Sequence, residues 1–171
     1  MNNPYDQSVM YSETQRARQW WIWLLVAVGV LFVAWMFTEQ ILLGHPVGNN
    51  PAPDGVVWLI TILVGIGMPL LAYSVHLTTE IRSDRLVVRL VPVWRRTIMF
   101  GDIVNCAPCT YHPILHYGGW GVRYGIGQGM CYTLYGHLGV RVELNNGKRV
   151  LIGSQRPEEL AAAINRARGR A

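Results

Sequence analysis

Two long stretches of this 171-residue chain carry no formal charge. Trp20–Phe37 reads WWIWLLVAVGVLFVAWMF, and Val56–Leu77 has only Thr61, Tyr73, Ser74 and His76 as polar interruptions. Charges inside a membrane span mark ion and proton routes, so their absence from both runs argues against a pump or transporter. Lys and Arg are also missing from residues 38–55 between the runs, where Glu39 and Asp54 leave a net charge of −2. Cysteine is scarce, with Cys106, Cys109 and Cys131 all falling after the second run. No internal repeat or low-complexity tract is visible. A nucleophile–base–acid set and paired carboxylates are missing too, since Asp102, Glu143, Glu158 and Glu159 are scattered and read as structural. The chain is therefore expected not to be an enzyme, and no catalytic residue, cofactor or small-molecule substrate is assigned.

What is present is enough apolar length to cross a bilayer twice. At about 1.5 Å of rise per residue the two runs extend roughly 27–33 Å as helices, the thickness of a hydrocarbon core. An uninterrupted helix pairs its own backbone groups, as a lipid-spanning segment must. Eighteen residues, Thr38–Gly55, join the runs, and Gly48-Asn-Asn-Pro-Ala-Pro-Asp-Gly55 reads as a tight turn-rich connection. The expected arrangement is a cytoplasmic segment 1–19, a transmembrane hairpin 20–77 with an external loop 38–55, and a cytoplasmic domain 78–171. Arg16 and Arg18 before the first run, and Arg82, Arg85 and Arg89 after the second, place both termini in the cytoplasm by the positive-inside rule. A reducing cytoplasm would leave the three cysteines without disulfides.

Within 1–19, Ser12–Arg18 reads as a short helix leading into the membrane. Trp20, Trp21 and Trp23 read as interfacial anchors. Pro69 removes one backbone donor and predicts a kink after Gly65 and Gly67, small residues that would let the helices approach through Ala27 and Gly29.

From Thr78 onward the pattern changes to period two. In Arg85-Leu-Val-Val-Arg-Leu90 the residues Leu86, Val88 and Leu90 share a face. Further strands are expected at Thr78–Ser83, Arg95–Phe100, Ile103–Tyr111, Trp120–Tyr124, Met130–Tyr135, Val140–Leu144 and Arg149–Ile152. Asn145-Asn-Gly-Lys148 marks a hairpin turn between the last two. Pro157–Arg168 has Pro at the first helical position, acids in the first turn, arginines in the last and Gly169 as a stop. Leu160, Ala163, Ile164 and Ala167 form its apolar stripe. The expected fold is a membrane helical hairpin plus an α+β domain, an antiparallel barrel of about seven strands plugged by the C-terminal helix.

That layout resembles the pleckstrin-homology-like (PH-like) fold. Arg18-Gln-Trp-Trp, Asn50-Pro-Ala-Pro-Asp54, Tyr117-Gly-Gly-Trp-Gly-Val-Arg-Tyr124 and Gly147-Lys-Arg-Val-Leu-Ile-Gly-Ser-Gln-Arg-Pro-Glu-Glu-Leu160 resemble one prokaryotic family. Its members are small two-span membrane proteins with a cytoplasmic PH-like domain and no assigned function. The resemblance implies a fold and a location, in a bacterial or archaeal cell membrane, and carries over no catalytic residues.

Four motifs invite chemistry. Cys106-x2-Cys109-x2-His112-x3-His116 offers zinc-type ligands, but strand residues three apart face opposite ways and no metal is assigned. Six glycines in Tyr117–Met130 suggest a phosphate loop, but strand rather than helix is expected to follow, leaving sharp bends as the plainer reading. Trp120, Arg123 and Tyr124 form a candidate partner- or anion-binding group, with surface stacking as the rival. Arg82, Arg85, Arg89, Arg95 and Arg96 are candidate lipid-headgroup contacts in a region, 78–171, with 13 Lys+Arg against 6 Asp+Glu. The functional expectation is a non-enzymatic binding or scaffolding domain at the cytoplasmic membrane face. Its partners would be membrane lipids and an unidentified protein or a second copy, without nucleic acid. The alternative is an accessory subunit of a larger membrane complex that interacts through the hairpin.

Overall fold

A computed structural model describes residues 9–17 and 19–169. They fall into two compact units, one within 18–74 and the other made of the N-terminal residues up to Ala17 together with the chain from Val75 onward. Arg18, used above for orientation, lies outside the described residues, as do residues 1–8.

The first unit is the helical pair. Helix α1 (Trp20–Phe37) runs on through a π-helical turn, Thr38–Leu42, making one apolar helix of 23 residues. The second, of 21 residues, comprises α2 (Asp54–Ile60), a π-helical stretch Thr61–Gly67 and α3 (Met68–Ser74). The widened turns immediately precede Pro69, and the Met68 amide reaches back to the Leu63 carbonyl. A longer reach relieves the clash that a proline ring makes with the preceding turn. Gly29 lets the helices close, since a Cβ there would sit 3.0 Å from the Met68 methyl. Phe37 stacks edge-on against Trp58 at 4.7 Å, and Gln40 Nε2 ties the connection shut by donating to the Ala52 carbonyl at 2.6 Å. Leu25, Leu31, Phe32, Leu63 and Leu70 are exposed. Leu77, counted above in the second run, belongs instead to a strand and is buried in the other unit.

That second unit contains β1 (Tyr11–Arg16), β2 (His76–Ile81), β3 (Arg85–Val91) and β4 (Trp94–Met99), which form an antiparallel meander. The Ser12–Arg18 helix expected from the sequence is therefore corrected to a strand. Thr14 and Thr78 face each other across β1 and β2, and alternate side chains Glu13 and Gln15 turn inward. β1 pairs along its whole length with β2, from Tyr11 opposite Ile81 to Arg16 opposite His76. The helical pair is thus an insertion between two adjacent strands.

The second sheet comprises β5 (Ile103–Thr110), β6 (Gly121–Gly125), β7 (Gly129–Thr133), β8 (Leu138–Leu144) and β9 (Arg149–Gly153), in the order β5-β8-β9-β7-β6. The expected antiparallel barrel of about seven strands is corrected to two separate sheets. After β4 the chain turns through Phe100–Asp102, where buried Phe100 fills the corner, and β5 pairs with β8 rather than with β4. β7 runs parallel to β9, leaving β6 as an edge. The hairpin of β8 and β9 turns at Asn145–Lys148, with Asn146 Oδ1 accepting from the Lys148 amide at 3.0 Å.

The main core lies between the sheets and is covered by helix α5 (Pro157–Arg168), which sends Leu160, Ala163, Ile164 and Ala167 into it. Arg168 Nη1 donates to the Val104 carbonyl at 2.6 Å and Asn165 Nδ2 to that of Cys106 at 3.3 Å, fixing α5 on β5. The outer face of the second sheet has its own cluster of Tyr111, Tyr117, Cys131 and Leu151, roofed by a short helix α4 (Pro113–Tyr117). With both faces covered, Val150, Leu151 and Ile152 are consecutively buried.

Burying two charges in the core should cost more than the ~2–5 kcal/mol of a large-to-small change, out of the ~5–15 kcal/mol that holds a domain. Leu160→Asp/Ile164→Asp is expected to abolish cooperative denaturant unfolding, whereas exposed Glu158→Gln leaves the midpoint nearly unchanged. Residues 9–17 joined to 75–169 through an Asn-Gly turn are expected to fold as a soluble domain, and 78–171 alone to be markedly less stable. Equal midpoints for these two chains would show that β1 adds nothing.

Candidate functional site

The β6–β7 hairpin is built around its glycines. A Cβ on Gly125 would meet the His116 carbonyl at 2.7 Å and the Tyr117 ring at 2.8 Å, so glycine lets β6 lie directly against α4. Gly129 has φ +83°, and a Cβ there would run into the Arg149 carbonyl. The Gln128 amide closes the turn on the Gly125 carbonyl at 3.0 Å. Two depressions flank this hairpin. One, of about 420 Å³, is lined by Arg96, Tyr124, Met130, Lys148 and Arg149 together with Gly127, Gly129 and Gly147. The other, of about 460 Å³, lies between α4 and the turn and includes Leu115, Tyr117, Tyr124 and Ile126. Tyr124 lines both.

The first depression is cationic. Arg96 Nη1 donates to the Tyr132 hydroxyl at 3.0 Å, with its guanidinium 5.7 Å from that ring's centroid, so a neutral partner holds it in place. Arg149 lies 3.5 Å from Glu143. Lys148 makes no ion pair among the described residues. Large apolar side chains stand out at the second depression, with Ile126 96% exposed, Leu115 82% and Tyr124 70%, beside the polar His116 and Gln128.

The residues singled out from sequence are dispersed. Trp120 is anchored by its indole N–H to the Gly136 carbonyl at 3.1 Å, and Arg123 Nε donates to the Trp120 carbonyl at 3.4 Å. Arg123 and Tyr124 are consecutive on β6 and point to opposite faces, so the trio does not form one site. Among the basic residues, Arg82 bonds Glu80 at 2.9 Å, Arg89 approaches the same carboxylate at 3.6 Å, and Arg85 holds Asp84 at 2.7 Å. The Arg85 guanidinium lowers the pKa of Asp84 below the usual carboxylate value. Three of the five are thus compensated by carboxylates, while Arg95 is exposed opposite Arg89 and Arg96 joins the cleft. Lys148, Arg149, Leu115 and Ile126 were missed. An isoleucine alone in Gly125-Ile-Gly-Gln-Gly129 is a signal for Ile126 itself, since a turn tip has no core to fill, and Leu115, Lys148 and Arg149 carry none.

Cys106 packs into the main core while Cys109 lies against the outer cluster, on opposite faces of β5. Burial pushes the Cys106 thiol up to about 12 and that of Cys131 to about 11, and raises Cys109. Such thiols are poor nucleophiles at neutral pH. His112 precedes α4, and its amide points at His116 Nδ1 at 3.4 Å.

A buried carboxylate lies at another corner. Glu13 is 6% exposed and accepts four hydrogen bonds, from Ser154 Oγ at 2.6 Å, the Gln155 amide at 2.7 Å, Gln15 Nε2 at 3.0 Å and the Tyr11 hydroxyl at 3.1 Å. Gln15 Nε2 also donates to the Gly153 carbonyl at 2.8 Å. Burial first, then Glu13, pushes the Tyr11 hydroxyl up to about 12. These contacts sew β1 to the link between β9 and α5.

A family of unknown function (DUF6141) matches residues 1–169, nearly the whole sequence. The chain belongs to this family. Membership spans both the apolar helices and the β-rich unit, and the family description assigns no activity to either. No curated protein matches the chain significantly.

Glu13→Ala strands several buried donors, each worth ~1–3 kcal/mol when unpaired. It is expected to lower stability in chemical denaturation by ~3 kcal/mol or more, against under ~1 kcal/mol for Glu143→Gln at an exposed ion pair. Thiol titration at pH 8 is expected to modify Cys106 and Cys131 at least ~100-fold more slowly in the native protein than in denaturant.

Proposed function

We propose that this chain is an integral membrane protein whose apolar helices cross the cell membrane as a hairpin, holding a PH-like, non-enzymatic binding or scaffolding domain at the cytoplasmic face. The observation that carries this reading is the insertion of two long apolar helices, with outward-facing leucines and phenylalanine, between the paired strands β1 and β2. Helices of a soluble core bury such side chains, and a bilayer is the solvent in which these can remain outside. Pairing of Arg16 with His76 brings the chain out of the sheet and back into it at neighbouring positions, as two spans returning to one side require. The absence of Lys and Arg from 38–55, against the basic β unit, supports placing that unit in the cytoplasm.

The PH-like reading is supported by a four-stranded meander, a second sheet and a C-terminal helix entering the core between them. It is an elaborated version. The first strand connection carries the membrane hairpin, and α4 with β6 and β7 is inserted between β5 and β8. A binding role rests on the exposed Tyr124 corner, where the large apolar side chains Leu115 and Ile126 stand exposed beside the cations of the cleft.

Reporter domains fused after Asn50 are expected to be active only outside the cytoplasm, and those fused after Gly169 only inside. Alkaline extraction is expected to leave the protein in the membrane pellet. Reversed reporters would overturn the orientation, and release at alkaline pH would overturn the hairpin.

A further inference from the structure

We infer that the Tyr124 corner is a second, peripheral membrane contact, in which Arg96, Lys148 and Arg149 hold the phosphate of an anionic phospholipid while Leu115 and Ile126 enter the hydrocarbon boundary. The inference deepens the reading of the chain as membrane-anchored and rests on it for a nearby bilayer.

The chemistry of the two depressions fits an amphiphile. One side offers three cations, of which only Arg149 is opposed by a carboxylate, Glu143 at 3.5 Å. No Asp or Glu lines either depression among the described residues. Gly127 and Gly147, with open space where a Cβ would stand, leave backbone accessible to a headgroup at the cationic side. Across Tyr124 lie the most exposed aliphatic side chains of the unit, at 96% for Ile126 and 82% for Leu115, with His116 and Gln128 as polar neighbours. Tyr124, at 70% exposure, joins an apolar ring to a polar tip, the residue type favoured where headgroups meet acyl chains.

A soluble phosphoester would use the cations but leave the aliphatic tips in water. A protein hot spot is expected as a desolvated centre within a polar rim. Here aliphatic prominences stand beside cations, the arrangement of interfacial anchors on anionic bilayers.

The test uses the full chain, reconstituted in phosphatidylcholine alone or mixed with phosphatidylglycerol, with Ile126→Cys carrying an environment-sensitive fluorophore in a Cys109→Ser background. In the mixed bilayer the label should shift to the blue and be quenched by brominated acyl chains, and in phosphatidylcholine alone it should remain exposed. Adding Lys148→Gln/Arg149→Gln, at two exposed cations, should weaken insertion about tenfold or more, with thermal unfolding nearly unchanged. A label exposed in both bilayers, or inserted equally in both, would overturn the inference. So would burial by glycerol phosphate without vesicles, which would indicate a soluble ligand, or by polyglutamate alone, which would indicate an acidic protein. Flotation at alkaline pH tests the hairpin separately. A chain that fails to float yet still buries its label on phosphatidylglycerol vesicles would refute the hairpin and retain the corner.

Discussion

A carboxylate buried beside a sheet must be solvated by the protein, and Glu13 is solvated by four donors drawn from its own strand and from residues 154–155. That requirement brings an N-terminal segment, otherwise separated from the rest by the two apolar helices, into the fold of the β unit. Once β1 is seated, its ladder to β2 determines where the chain leaves the sheet and where it returns. An antiparallel pair normally closes through a short turn. Here the equivalent connection is a helical hairpin, so the two ends of the apolar insertion are held at paired strand positions by backbone hydrogen bonds.

The second sheet shows how burial on both faces creates a surface site. Its inner face meets α5 and the first sheet, and its outer face is roofed by the five residues of α4. So small a roof covers Tyr111, Cys131 and Leu151, while Ile114 and Leu115 on its other side remain in the open. Gly125 allows the β6–β7 turn to come up against α4, which brings Ile126 beside Leu115. The same turn meets the β8–β9 turn at Gly129 and Arg149, gathering cations on its other flank.

Charge is distributed accordingly. Glu80 and Asp84 compensate the arginines nearest the return of the apolar insertion in sequence, Arg82, Arg85 and Arg89. Arg96 and Lys148, the two cations of the cleft that no carboxylate pairs with among the described residues, come from strand and turn segments far apart in the chain. A run of arginines in sequence is therefore a poor guide to the field at the surface, because exposed pairs neutralise one another where strands place them side by side.

The sequence alone determined the elements whose signals are local. Continuous apolarity marked both long helices, alternation marked β3, Asn146-Gly147 marked the last hairpin, and Pro157, the acidic first turn and Gly169 bounded α5 almost to the residue. Tertiary structure decided what depends on partners distant in sequence. Tyr11–Arg16 has too few apolar residues to announce a strand and becomes one because β2 offers a free edge and Ser154 a donor. Two sheets form instead of a barrel because β5 pairs with β8 rather than with β4. The Tyr124 corner was illegible for the same reason. Arg96, Leu115, Ile126 and Lys148 share no spacing, and only strand pairing and the close approach that Gly125 permits bring them together.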